Sequence, residues 1–223
     1  MQNQTLIFRD KHALVTKYIH QADVVLDVGF WGQGITENNP QWIHELLCTA
    51  SETVYGTDLQ YDESATRIRA NPSRYRKANA ESFDFDGMQF DTIVASELIE
   101  HLSNPGMFLD SCKKYLKPGG MLILTTPNCF NLFNIAGKLS RKEPVTNADH
   151  TCYYNSVTLI HLLEKNGWVA KEVAYVYTLN IDYPESFKKK VLNAFYKLFS
   201  IATPKFLETL VIVAEQKNVT KLQ

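Results

Sequence analysis

Asp23-Val24-Val25-Leu26-Asp27-Val28-Gly29-Phe30-Trp31-Gly32-Gln33-Gly34 reads as a buried-type strand that runs into a glycine-rich turn. A short apolar run bounded by turn residues suits a strand covered on both faces, the kind found in parallel sheets. Working outward, Pro40 to Ala50 predicts a helix with Trp42, Ile43, Leu46 and Leu47 on one face. Thr53 to Thr57 is a second strand, ending at Asp58. Ser64 to Ala70 is a short helix before Pro72, Tyr75 to Ala78 a weak third strand, and Phe90 to Ala95 a stronger fourth.

From Pro105, residues Phe108, Leu109, Cys112, Tyr115 and Leu116 recur at helical spacing, with Asn104-Pro105 as a start and Pro118-Gly119-Gly120 as a stop. Met121 to Thr126 is the fifth strand. Ser156 to Asn166 is an amphipathic helix that Gly167 ends in a left-handed conformation. Trp168 to Tyr177 and Glu208 to Gln216 complete a set of seven strands. Strands alternating with helices predict a mostly parallel sheet with helices on both faces. Two stretches, Cys129 to Asp149 and Leu179 to Phe206, fall outside that alternation and read as insertions.

At 223 residues, 45% hydrophobic and 21% charged, the chain suits one α/β domain over 1–223. A net charge of -1 gives no long-range attraction to nucleic acid. Cys48, Cys112, Cys129 and Cys152 form no C-x-x-C pair, so reduced thiols in a cytoplasmic protein are expected. Met1 to Ile19 carries His, Lys, Arg and Asp, unlike a signal peptide, and no stretch approaches the ~20 apolar residues of a membrane span.

Ligands of an open parallel sheet sit at the carboxyl ends of its strands, where strand order reverses. After the first strand lie Asp27 and the glycines at 29, 32 and 34, which let the backbone turn and approach a ligand. After the second lies Asp58, a carboxylate able to accept both hydroxyls of a ribose. These features alone suit a nicotinamide enzyme as well as other nucleoside-binding proteins.

Phe90-Asp91-Thr92-Ile93-Val94-Ala95-Ser96-Glu97-Leu98-Ile99-Glu100-His101-Leu102 and Leu116-Lys117-Pro118-Gly119-Gly120-Met121-Leu122-Ile123-Leu124-Thr125-Thr126-Pro127-Asn128 decide between them. They resemble the fourth- and fifth-strand signatures of class I S-adenosylmethionine-dependent methyltransferases, of the bacterial type similar to the ubiquinone-biosynthesis group. The resemblance implies a Rossmann-like, seven-stranded, mostly parallel sheet and S-adenosyl-L-methionine as cofactor. It places Asp27 and Gly29 to Gly34, including Phe30 and Gly32, along the methionine part. Asp58 with Leu59 belongs to the ribose, Asn79-Ala80-Glu81 to the adenine, and Ser96 with Glu97 lies beneath the sulfonium. One departure stands out. The family turn is usually G-x-G-x-G, whereas here Gly29 is followed by two bulky residues before Gly32.

A sulfonium methyl donor is already activated, so the protein's main tasks are to align the acceptor and exclude water. A hydroxyl acceptor also needs a base, and His101 leads, followed by His150 in Asp149-His150-Thr151. The spacing of Glu97, Glu100, His101 and downstream His150 resembles two metal-using groups, one acting on ubiquinone ring precursors and one on the terminal ribose of small RNAs. A metal-free base is the preferred reading, and the metal is left open.

The insertion at about 129–149, with Phe130, Leu132, Phe133, Ile135 and Leu139 before Arg141 and Lys142, reads as a lid. In that at 179–206, Phe187, Val191, Phe195 and Phe199 form an apolar stripe beside Lys188, Lys189, Lys190 and Lys197. Packing on its own domain is the plain reading of 185–200; a homodimer contact, an active-site cover and peripheral membrane contact are the others. The expected acceptor is a small-molecule, sugar or lipid hydroxyl. A nicotinamide oxidoreductase would want G-x-G-x-x-G at the first turn, the reverse of the spacing here. A non-catalytic cofactor-binding module is the second alternative.

Overall fold

Val24, Val25, Leu26 and Val28 give strand β2 (Val24–Val28) apolar side chains on both faces, and it lies inside one eight-stranded sheet. The computed structural model describes residues 6–32, 39, 42–140, 147–176 and 203–217. The other strands are β1 (Leu6–Phe8), β3 (Thr53–Asp58), β4 (Tyr75–Lys77), β5 (Phe90–Ser96), β6 (Leu116–Pro127), β7 (Trp168–Val176) and β8 (Thr209–Gln216). Their order is β1-β7-β8-β6-β5-β2-β3-β4. Strand β8 runs antiparallel to both β6 and β7, and every other pairing is parallel.

The sheet therefore has one strand more than the seven expected. Leu6-Ile7-Phe8 is too short to show a period of its own, and it pairs with the edge of β7 through Leu6↔Ala174 to Phe8↔Val176. Strand β6 also starts at Leu116, ahead of the expected Met121, because Phe90 pairs with Leu116 across an irregularity before the regular register resumes at Thr92↔Met121. The insertion 179–206 and residues 141–146 of the other fall mostly outside the described residues, as does the basic helix expected at 185–200.

The helices are α1 (Lys11–Tyr18), α2 (Ile43–Ala50), α3 (Thr66–Ala70), α4 (Pro105–Tyr115), α5 (Leu132–Leu139) and α6 (Ser156–Lys165). Their apolar faces divide between two cores, one on each side of the sheet. Helices α4 and α6 bury Phe108, Leu109, Cys112, Leu159 and Leu163 in one, with Leu26, Ile93 and Leu124. Helices α1 and α2 bury Leu14, Val15, Ile43 and Leu47 in the other, with Val25, Val94 and Ile123. Consecutive residues on β2, β5 and β6 alternate between the two cores, as a period-two backbone requires.

Local signals set the ends. Asn155 and Thr158 form a reciprocal capping box on α6, and Gly167 follows that helix at φ +70°. Among the described residues no helix is long and apolar enough to cross a membrane. Strand order reverses between β2 and β5, where Val25 pairs Thr92 and Asp27 pairs Val94. The carboxyl ends of these two strands are where a ligand crevice opens.

Candidate active site

A cavity of about 520 Å³ opens at the carboxyl ends of β2, β3, β5 and β6, reached by Gly29, Asp58, Ser96 and Pro127. That volume lies within the ~300–1,000 Å³ of small-ligand sites. The turn after β2 is drawn tightly against its neighbours. Gly29 sits at φ +78° and donates its N–H to the Thr57 carbonyl at 2.8 Å. A Cβ there would stand 3.0 Å from Leu98 Cδ1, so backbone shape and space both call for glycine. Asp58 Oδ2 accepts the Trp31 N–H at 3.0 Å, and Oδ1 accepts that of Gln60 at 3.2 Å. Burial pushes the Asp58 pKa up, against these backbone bonds. Each carboxylate oxygen still has accepting capacity.

The loop after β5 carries the acids. Glu97 stands at φ +52°, unusual for a residue with a side chain, and its N–H donates to the Thr125 carbonyl at 2.9 Å. The Thr125 hydroxyl donates to Glu97 Oε1 and the Thr126 hydroxyl to Glu100 Oε2, both at 2.9 Å. Two neighbouring threonines at the end of β6 thus each fix one carboxylate. Glu100 is buried, and its Oε1 has no partner. Burial, helped by the charge of Glu97, pushes its pKa up to about 8.

His101 and His150 meet edge to face with ring centroids 4.6 Å apart. Ligating atoms of Glu100, His101 and His150 all lie within 4.8 Å of one another. Thr151 brings the distant loop into place. Its N–H donates to the Glu100 carbonyl at 2.8 Å, and its hydroxyl reaches the carbonyls of Glu100 and Leu102 at 3.0 and 2.9 Å. Burial and the nearby His101 hold the His150 pKa below its ordinary value, so the ring favours the neutral form. Thr151→Val is expected to lower turnover by up to about 10²-fold through misplacement of His150. Cofactor affinity should stay within about twofold, since the latch touches no part of the glycine turn. Steady-state kinetics beside calorimetry check it, and equal losses in both would show general damage.

Residues 3–173 match a family model described as a methyltransferase domain. The chain belongs to that methyltransferase family. Mitochondrial ubiquinone biosynthesis O-methyltransferase of Rattus norvegicus is 30% identical over 164 residues, covering 67% of this chain and 45% of that protein. The ubiquinone biosynthesis O-methyltransferase of Dinoroseobacter shibae is 31% identical over 109 residues, covering 47% and 41%. The chain spans about half the length of these curated relatives. A SAM-dependent methyltransferase from Archaeoglobus fulgidus shares the fold, with a TM-score of 0.58 at 18% identity over 92% of both chains.

The methyltransferase is of class I, and its cofactor is S-adenosylmethionine. The lining suits that molecule: Gly29 puts bare backbone in the cavity wall, and the Asp58 carboxylate stands beside it. Gly29, Phe30, Gly32, Asp58, Ser96, Glu97, His101 and His150 all line the cavity. Asp27 does not line it. It is fully buried against His44, and one of its oxygens is unpartnered.

The residues assigned to the adenine do not line this cavity. Glu81 is clasped by Asn104 through N–H and Nδ2 at 2.7 and 3.0 Å, tying the turn after β4 to the start of α4. Asn79 Oδ1 accepts the Glu81 N–H at 2.9 Å, Ala80 is buried, and Leu59 is exposed. Gly34 lies outside the described residues. Sequence reading missed Lys11, whose ammonium donates to the Ser96 hydroxyl at 3.3 Å in the cavity wall. It also missed the Thr125-Thr126 pair, although adjacent hydroxyls closing a strand beside two glutamates were a usable signal.

Proposed function

We propose that this methyltransferase transfers the methyl group of S-adenosylmethionine to a hydroxyl of a small-molecule acceptor, with one domain over 1–223 carrying the activity. The observation that carries the reading is the His101–His150 pair, set beside Glu97 and Glu100 in the wall of the cofactor cavity. When bound, S-adenosylmethionine supplies an activated methyl group on a sulfonium. What remains for the chain is to orient the acceptor oxygen and take its proton. A neutral imidazole does the second task. The depressed pKa of His150 keeps that ring unprotonated at neutral pH. Glu97, fixed by Thr125, offers a carboxylate acceptor beside the two rings, where the acceptor hydroxyl would be held.

The name of the rat relative, an O-methyltransferase of ubiquinone biosynthesis, agrees with an oxygen acceptor. It favours ring hydroxyls over sugar or lipid ones as the first class to test. A second reading has its own support. The convergence of Glu100, His101 and His150 within 4.8 Å suits a divalent ion, and the unpartnered Glu100 Oε1 offers such a site an oxygen ligand once its proton is displaced. An ion held there would supply positive charge that lowers the pKa of the acceptor hydroxyl.

Two measurements test the reading. Calorimetry should show S-adenosylmethionine and S-adenosylhomocysteine binding, with NAD and NADP silent; the reverse pattern would sink it. Transfer of labelled methyl groups should then label catechol-type ring hydroxyls within a panel that also holds sugar and lipid hydroxyls and amines. Labelling of amines alone would remove the oxygen acceptor while leaving the cofactor assignment intact.

A further inference from the structure

The turn after β2 departs from the usual glycine pattern, and helix α2 answers the departure. Trp42, just before the helix, donates its indole N–H to the Phe30 carbonyl at 2.6 Å. His44, in its first turn, places Nδ1 at 3.0 Å from Asp27 Oδ2 and Nε2 at 3.1 Å from the Tyr75 hydroxyl. Both side chains are buried. Burial disfavours a charged ring, but Asp27 together with Cys48 outweighs it and pushes the His44 pKa up to about 9.

Phe30 is the first of the two bulky residues between Gly29 and Gly32, and its ring is buried. It packs on His44 with centroids 4.9 Å apart and on Tyr75 at 5.2 Å. Gly56 on β3 makes the room, since a Cβ there would stand 2.8 Å from the Phe30 ring and 2.9 Å from that of Tyr75. With Phe30 held down from both its carbonyl and its ring, the next amide, that of Trp31, falls on Asp58.

We infer that Trp42 and His44 are positioning residues for the cofactor turn. A glycine loop lies close to its ligand because it has no side chains. This one is held by burying a side chain and gripping it. The grip also accounts for Asp27, whose charge is taken up by His44 below the turn and does not reach the cavity. Its effect on the cofactor passes through the shape of Gly29 to Gly32.

Trp42→Phe keeps an aromatic ring at the site while removing the indole donor and part of the ring volume. It should weaken S-adenosylhomocysteine binding about tenfold, the equivalent of one hydrogen bond. His44→Leu should weaken it further. His44→Gln, which keeps a donor toward Asp27, should recover to within about threefold of the parent. Calorimetry reads the affinity without any acceptor, so the outcome is independent of the proposed reaction. Amide hydrogen exchange supplies the second readout: residues 29–32 should exchange faster in Trp42→Phe while β5 and β6 keep their protection. Should His44→Leu fail to fold, Trp42→Phe decides alone. Unchanged affinity in folded Trp42→Phe would overturn the inference, and so would exchange rising evenly across the sheet, which marks a purely structural role.

Discussion

His101→Ala is expected to slow methyl transfer by ~10²–10⁴-fold while S-adenosylhomocysteine affinity stays within about twofold. The size follows from the task, since a hydroxyl is a weak nucleophile until a positioned base takes its proton. The separation of the two effects follows from place. His101 lies in the loop after β5 that carries the acids, whereas Gly29 and Asp58 follow β2 and β3. His150→Ala should fall in the same range, because the rings share one site with centroids 4.6 Å apart. The base works unprotonated, so the rate should rise with pH along a limb below the ordinary imidazole value of ~6.5, given the lowered pKa of His150. Removing His101 takes away one cause of that lowering, so the residual activity of His101→Ala should have its limb shifted upward. Chelator tests the alternative in the same assay. Full activity in excess chelator keeps the base reading. Loss of activity restored by Mg²⁺ or Mn²⁺ assigns the cluster to an ion, and Glu100→Ala should then be as damaging as either histidine change. Full activity in both histidine variants would leave alignment alone as the source of catalysis.

Strand ends were legible in the sequence because parallel strands are short apolar runs with polar residues only where they stop. Asp58 and His101 were found by that punctuation, Ser96 and Glu97 through the family resemblance, and all four line the cavity. The alternation of strands and helices also gave the layered sheet. What escaped was set by distance in the chain. Lys11 enters through an N-terminal helix beside a strand, Leu6–Phe8, that has no readable period and is placed by its pairing with β7 and the burial of Phe8. The Trp42–Phe30 and His44–Asp27 contacts join a helix to a turn across a dozen or more residues, and α2 read simply as an amphipathic helix. Asp27 shows the same limit from the other side. A carboxylate at a strand end was expected to face a ligand, but a buried imidazole beneath it offers a stronger partner than solvent does. Glu81 likewise found Asn104, 23 residues on, at a helix start that sequence spacing alone could not bring near.

Asp58→Ala should cost about 2–4 kcal/mol of cofactor affinity, roughly 30–1,000-fold, because a hydrogen bond to a charged group contributes ~1.5–3 kcal/mol and a ribose offers two. The carboxylate also holds the Trp31 amide, so its loss frees one end of the glycine turn as well. The fold should survive. Asp58 closes β3 at the rim of the cavity, and the Trp31 N–H that it leaves can be reached by water. Asp58→Asn should be intermediate, since its one carbonyl can accept while its amide can only donate. Acid should act as the mutation does. Burial raises the Asp58 pKa, so cofactor affinity should begin to fall, as pH is lowered, above the ordinary carboxylate value of ~3.9. Calorimetry with S-adenosylhomocysteine from pH 7 downward follows that loss, and in Asp58→Ala the acid dependence should flatten. An unchanged affinity in the folded alanine variant would mean that the ribose is held by other groups, with Asp58 serving only to tether Trp31.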